Sequence, residues 1–174
     1  MSIKINYLSK NISKSEFNLV LFSNEKFNIS AIKKHLSNLE FSYINDLLKT
    51  SDLKKNMFVF EVNSKKKIIL ISIKKDLKEF DIENLGAEFF KRINYGKNSE
   101  YYINSDSLIS KQENFLGHFL HGLKLKSYEF KKYKTKKETR IISINILGTK
   151  NKTSTHNQLK FKALEEGTFY ARDL

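Results

Sequence analysis

Residues 17–22 (FNLVLF) form an apolar run with a single polar interruption, and this constrains the fold more than any other feature of the chain. A strand with one face in water alternates apolar and polar side chains, whereas a continuous apolar run is stable only when both of its faces are covered. Residues 3–8 (IKINYL) do alternate, as a half-buried strand should. Two more strands are expected at 58–62 and 68–73 (IILISI), joined by an exposed turn at Asn63, Ser64, Lys65 and Lys66 as a hairpin. Short strands are also expected at 101–103 and 140–147 (RIISINIL), the latter ended by Gly148.

Helical spacing separates these strands. Ile29, Ile32, Leu36 and Leu39 recur at helical intervals behind Asn28 or Ser30 as N-cap. Tyr43, Ile44, Leu47 and Leu48 continue that helix or form a separate turn of one. The clearest helix carries Ile82, Leu85, Gly86, Phe89, Phe90 and Ile93 on one stripe, opened by Asp81 and closed before Gly96. Ser110 to Glu113 has the capping-box pattern, with Phe115, Leu116, Phe119, Leu120 and Leu123 as the apolar face behind it. Thr155 to Gln158 is a second such box, launching a helix through Leu159, Ala163, Tyr170 and Leu174. Strands alternating with helices around one hairpin predict an α/β fold: a mixed sheet with helices on both faces. The polar stretch 149–154 (TKNKTS) marks a boundary between a domain at 1–150 and a terminal helix at 151–174.

The chain of 174 residues has a net charge of +13, which raises the question of nucleic acid as a partner. Of the 32 basic residues only Arg92, Arg140 and Arg172 are arginine, and proline is absent. That profile fits the coding bias of an AT-rich genome better than a base-reading surface, which favours the bidentate guanidinium. The densest basic cluster, Lys131, Lys132, Lys134, Lys136 and Lys137, interleaves with Tyr133 and is the candidate patch for single-stranded nucleic acid. With no cysteine, disulfides and thiolate metal sites are excluded. No stretch approaches the ~20 apolar residues of a membrane span, so a cytoplasmic protein without membrane contact is expected.

Catalytic chemistry finds no foothold. His118 and His121 stand three apart, a spacing that can chelate a metal. On a helical wheel they fall at about 300° and 240°, opposite the apolar face of Phe115, Phe119, Leu123 and Leu116, so a solvated face is expected. The acidic run 76–83 (DLKEFDIE) suits a helix start, where negative charge complements the dipole. Neither a nucleophile elbow nor a glycine-rich phosphate loop occurs. No residue is expected to be catalytic, cofactor-binding or metal-binding.

Two segments carry a family resemblance. Residues 117–136 (GHFLHGLKLKSYEFKKYKTK), then Glu165, Glu166, Gly167 and the closing Ala171, Arg172, Asp173 and Leu174, resemble the leucine (cytosol) aminopeptidase family. The helix around Leu85, Gly86, Ala87 and Glu88 is also similar, whereas the family's "GLGK" is replaced at residues 71–75 by ISIKK. The resemblance implies a macro-domain-like three-layer sandwich with a linker helix leading toward an absent catalytic domain. It implies that the parent removes N-terminal residues from peptides with two divalent metals, manganese or zinc. It also implies a hexamer, and an interdomain role for Arg172 and Asp173. The alternative reading is a basic nucleic-acid-binding module. A macro-like ligand domain is a third, and the isolated glycines offer it no phosphate cradle.

Overall fold

A computed structural model of the chain describes residues 2–8, 17–95, 99–110, 112–129 and 140–174. Its centre is a six-stranded sheet built from β1 (Ser2–Tyr7), β2 (Asn18–Asn24), β3 (Met57–Glu61), β4 (Lys67–Ile73), β5 (Glu100–Asn104) and β6 (Ile141–Leu147). Their order across the sheet is β1-β6-β5-β2-β4-β3. All neighbours are parallel except β3, which pairs antiparallel with β4 as the expected hairpin. The described residues also form four α-helices: α1 (Asn38–Thr50), α2 (Glu79–Ile93), α3 (Phe115–Ser127) and α4 (Thr155–Asp173).

The strand patterns explain the layers. In β2, Val20 and Phe22 face one core while Leu19 and Leu21 face another, and β4 divides likewise between Ile69, Ile71 and Ile68, Leu70. Both central strands are therefore apolar at nearly every position because both of their faces are covered. The first core lies under α2 and α3, and the second under α1 and the 3-10 turn Ser30–His35. β1 and β6 give alternate side chains, Ile3, Ile142, Ile144 and Ile146, to the first core alone. On the other face Asn6 donates to Asn145 Oδ1 (2.8 Å), and Asn145 donates to Glu100 Oε1 (2.9 Å).

The α2 stripe Ile82, Leu85, Gly86, Phe89, Phe90 and Ile93 is buried as expected. α2 and α3 cross at close range because each offers a glycine there. A Cβ on Gly122 would lie 1.9 Å from the Glu83 carbonyl oxygen, and one on Gly86 would lie 1.9 Å from that of Phe119. Aromatic edges fill the space below, with Phe119 5.5 Å from both Phe22 and Phe89.

Several local expectations are corrected. Residues 29–39 do not make one helix: the chain forms the 3-10 turn, extends at Leu36, and starts α1 afresh at Ser37. Leu39 is 85% exposed, because α1 buries Ile44 and Leu48 instead. Asp81 is not the first cap of α2 but sits one turn in, accepting from the Lys78 N–H (3.0 Å). The Ser110 box does not form. Ser110 Oγ accepts from Gln112 N–H in a local turn, and α3 opens at Asn114 with a left-handed φ of 56°. The cap of α4 is Ser154, whose Oγ accepts from Asn157 N–H, while the Gln158 amide turns back to the Thr153 carbonyl.

The turn 63–66 is exposed only in part. Lys66 is 6% exposed and its ammonium lies 2.6 Å from Glu40 Oε1. Glu40 also completes a capping box with Ser37 at the head of α1. The 149–154 stretch is held by hydrogen bonds to the end of β5. Asp106 Oδ1 accepts from Thr149 and Lys150 N–H (2.8 and 2.7 Å), and Ser105 Oγ lies 2.6 Å from the Lys150 carbonyl. Gly148 makes this approach possible with a φ of 103° and no Cβ, which would otherwise meet Ser105 Oγ at 2.6 Å.

Candidate functional site

The titratable side chains of interest gather along the seam between α3 and α4. Phe161 enters this seam because Gly117 leaves room: a Cβ there would lie 2.5 Å from the Phe161 ring. The ring sits between both histidines, with centroids 5.0 Å from His118 and 5.1 Å from His121. The expected solvated histidine face is thus overturned. His121 is 7% exposed because α4 covers the side of α3 that faces away from the sheet.

The two histidines turn to different partners. His118 Nδ1 lies 3.3 Å from Glu83 Oε1, and its Nε2 3.7 Å from Glu79 Oε1, both on α2. His121 Nδ1 lies 3.2 Å from Glu165 Oε1 on α4. They share no focus, and among the described residues no group of three or more His, Cys, Asp or Glu side chains could hold a metal ion. The run 76–83 places Glu79 and Asp81 in the first turn of α2, as expected.

Glu165 is the most enclosed carboxylate of the seam. It is 8% exposed, with His121 on one side and Lys124 Nζ 4.0 Å away on the other. Tyr7, at the end of β1, approaches the same carboxylate. Burial pushes the Tyr7 hydroxyl above its ordinary pKa, and repulsion from Glu165 adds to it. Beside these groups runs a groove of about 600 Å³ between β1 and α4, walled by Ile3, Ile5, Leu120, Phe161 and Phe169. A charged pair and a hydroxyl at the foot of an apolar groove can orient a bound group by hydrogen bonding. They include no nucleophile beside a general base in the manner of a hydrolytic centre.

Near its C-terminus α4 is clamped rather than free. Tyr128 stacks on Phe169 (5.2 Å), donates to Asp173 Oδ1 (2.6 Å) and lies under the Arg172 guanidinium (5.3 Å). Arg172 also donates to the Leu125 carbonyl (3.3 Å). Arg172 and Asp173 thus both bond to the C-terminal end of α3. Tyr128 thereby joins the end of α3 to the end of α4. The basic patch of Lys131, Lys132, Lys134, Lys136 and Lys137 lies outside the described residues, as do Phe130 and Tyr133.

A second depression, of about 800 Å³, lies beyond the carboxyl ends of β2 and β4, where Lys26, Lys74 and Lys75 meet Glu25 and Asp76. Open α/β sheets often bind ligands at such a place. Here the 3-10 turn Ser105–Ser107 closes the neighbouring crevice, Ser107 Oγ accepting from Phe22 N–H (3.0 Å). No helix among the described residues is long and apolar enough to cross a membrane.

No protein-family model matches the chain, and no curated protein does. Solved structures do. A tomato leucine aminopeptidase variant superposes with a TM-score of 0.63 at 15% identity, over 94% of this chain and 36% of the other. A cytosol aminopeptidase from Coxiella burnetii gives 0.58 at 11% identity, over 97% of this chain and 32% of the other. The chain spans about a third of the length of these proteins. Nearly all of it therefore has a fold that occurs within leucine and cytosol aminopeptidases.

Proposed function

We propose that this chain is the N-terminal, non-catalytic domain of a leucine-aminopeptidase-type protein and supports the assembly of a catalytic portion that it does not itself contain. The observation that carries this reading is the asymmetry of coverage: 94–97% of this chain lies on only 32–36% of the two aminopeptidase chains.

On this reading the remaining chain removes N-terminal residues from peptides, leucine favoured. Two divalent ions, manganese or zinc, would supply a metal-activated water there. The residues described in this chain do not fit such a centre, since His118 and His121 diverge toward separate carboxylates. A cytoplasmic location and a hexamer with this domain outermost belong to the same proposal. Sequencing the gene beyond the codon for Leu174 tests it. An open reading frame encoding a carboxylate-rich metal-binding domain is expected, and a stop codon at that point would remove the aminopeptidase role.

A further inference from the structure

We propose that the open edge of β1, with the groove beside it, binds an extended segment of a partner protein as one further strand, the segment alternating apolar and acidic residues. β1 ends the sheet on one side. The Ser2 and Leu8 N–H groups donate to the Arg140 and Ile146 carbonyls (2.9 and 3.0 Å), and Ile3, Ile5 and Tyr7 alternate with the residues that bond to β6. Their own N–H and carbonyl groups therefore point away from the sheet. Among the described residues nothing pairs with them, so they form a row that one more strand can bond. Their side chains lie on the side of the first core, where the groove of about 600 Å³ separates β1 from Leu159, Phe161 and Phe169 of α4.

Strand addition draws affinity from main-chain bonds and specificity from pockets that take alternate side chains, and this edge offers both. A strand laid along β1 continues the two faces of the sheet. On one face its side chains enter the groove between Ile3, Ile5 and α4, which suits apolar residues. Leu159 belongs to the stripe that the sequence points to as buried, yet it is 63% exposed and supplies part of that wall. The intervening side chains come beside Lys4, exposed on the opposite face, which suits carboxylates. Glu165 and Glu166 also line the groove, but each already faces a lysine, Lys124 at 4.0 Å and Lys162 at 3.8 Å. The net charge of +13 draws an acidic partner. It repels a second copy, whose own β1 would bring another Lys4 to the same edge.

The probe is the acetylated and amidated peptide EIEVEIE, added to the isotopically labelled 174-residue chain. At saturation, amide hydrogen exchange at Ile3, Ile5 and Tyr7 should slow about tenfold as these groups gain bonds, while β3 at the other edge of the sheet is unchanged. Lys4→Glu and Leu159→Glu, both at exposed positions, should each weaken binding about tenfold, whereas Lys49→Glu on α1 should not. The peptide KIKVKIK should bind more weakly by about the same factor. N-methylation along one edge of EIEVEIE should abolish binding and along the other leave it intact, because an added strand bonds through one edge only. Equal binding of KIKVKIK, equal protection of β3, or indifference to both N-methylation patterns would overturn the proposal. Slowed exchange in β1 that grows with protein concentration in the absence of peptide would assign the edge to a second copy and overturn it as well.

Discussion

Glu40 does two jobs with one carboxylate, and only one of them is visible in the sequence. Ser37-Asn38-Leu39-Glu40 has the capping-box pattern, and both of its reciprocal bonds form. The second job, neutralising the ammonium of Lys66, depends on a hairpin turn that folds over α1, and no local pattern announces it. Burial alone would raise the Glu40 pKa, but the bonds from Lys66 and Ser37 outweigh it and hold the carboxyl below its ordinary value. Asp106 is also held low: burial opposes this, and the N–H groups of Lys150 and Thr149 prevail. Because these folded-state values are depressed, their stabilisation is present above the ordinary carboxylate pKa and is lost as pH falls through the folded values. Urea midpoints should therefore decline below about pH 4.5, the region of unfolded carboxylates. Glu40→Gln should cost about 3 kcal/mol at neutral pH by removing the carboxylate that faces a buried ammonium. It should also flatten the acid decline, and an unchanged pH profile would show that the pair contributes no linkage.

Two glycines separate at the same scale. Gly122→Ala pushes a methyl into the backbone of Glu83 and should cost about 3 kcal/mol. Gly167→Ala, with nothing within 4 Å of the new Cβ, should gain about 1 kcal/mol from helix propensity. Chemical denaturation of both variants checks the opposite signs.

Among the elements, α2 and the central strands were the most legible. The α2 stripe contacts one layer, so a single helical period identifies its buried face. β2 and β4 announced two covered faces by being apolar throughout, and β1 announced one by alternating. α3 and α4 were not legible in that way. α3 is buried against α2, the sheet and α4 together, so its smaller and more polar side, Gly117, His121 and Gly122, is also internal. α4 is held by Phe161, which the 3.6-residue pattern of Leu159, Ala163 and Tyr170 does not include. Phe161→Ala should loosen α4 by about 3 kcal/mol, from the loss of a buried ring. Hydrogen exchange of the α4 amides should accelerate roughly 100-fold while β2 and β4 stay protected. Equal acceleration in the sheet would mean that α4 belongs to the global folding unit.

At the scale of the whole molecule, two apolar cores share one sheet, and among the described residues the buried Lys66 and Glu165 each lie against a polar partner, Glu40 and His121. The 174-residue chain is accordingly expected to leave leucine anilides intact when manganese or zinc is added, measured as release of the chromophore against a blank. Metal-dependent turnover would place a catalytic centre within these residues. By itself the sequence determined the alternation of strands and helices, the hairpin, the double-faced central strands and the α2 stripe. Each of these is set by side-chain period against a single adjacent layer. Only the tertiary structure decided the fate of His121, Lys66 and the outward face of α4. Periodicity marks the face that meets the nearest layer, whereas a second neighbour arrives from distant residues, as Phe161 does on His121 and Glu40 on Lys66.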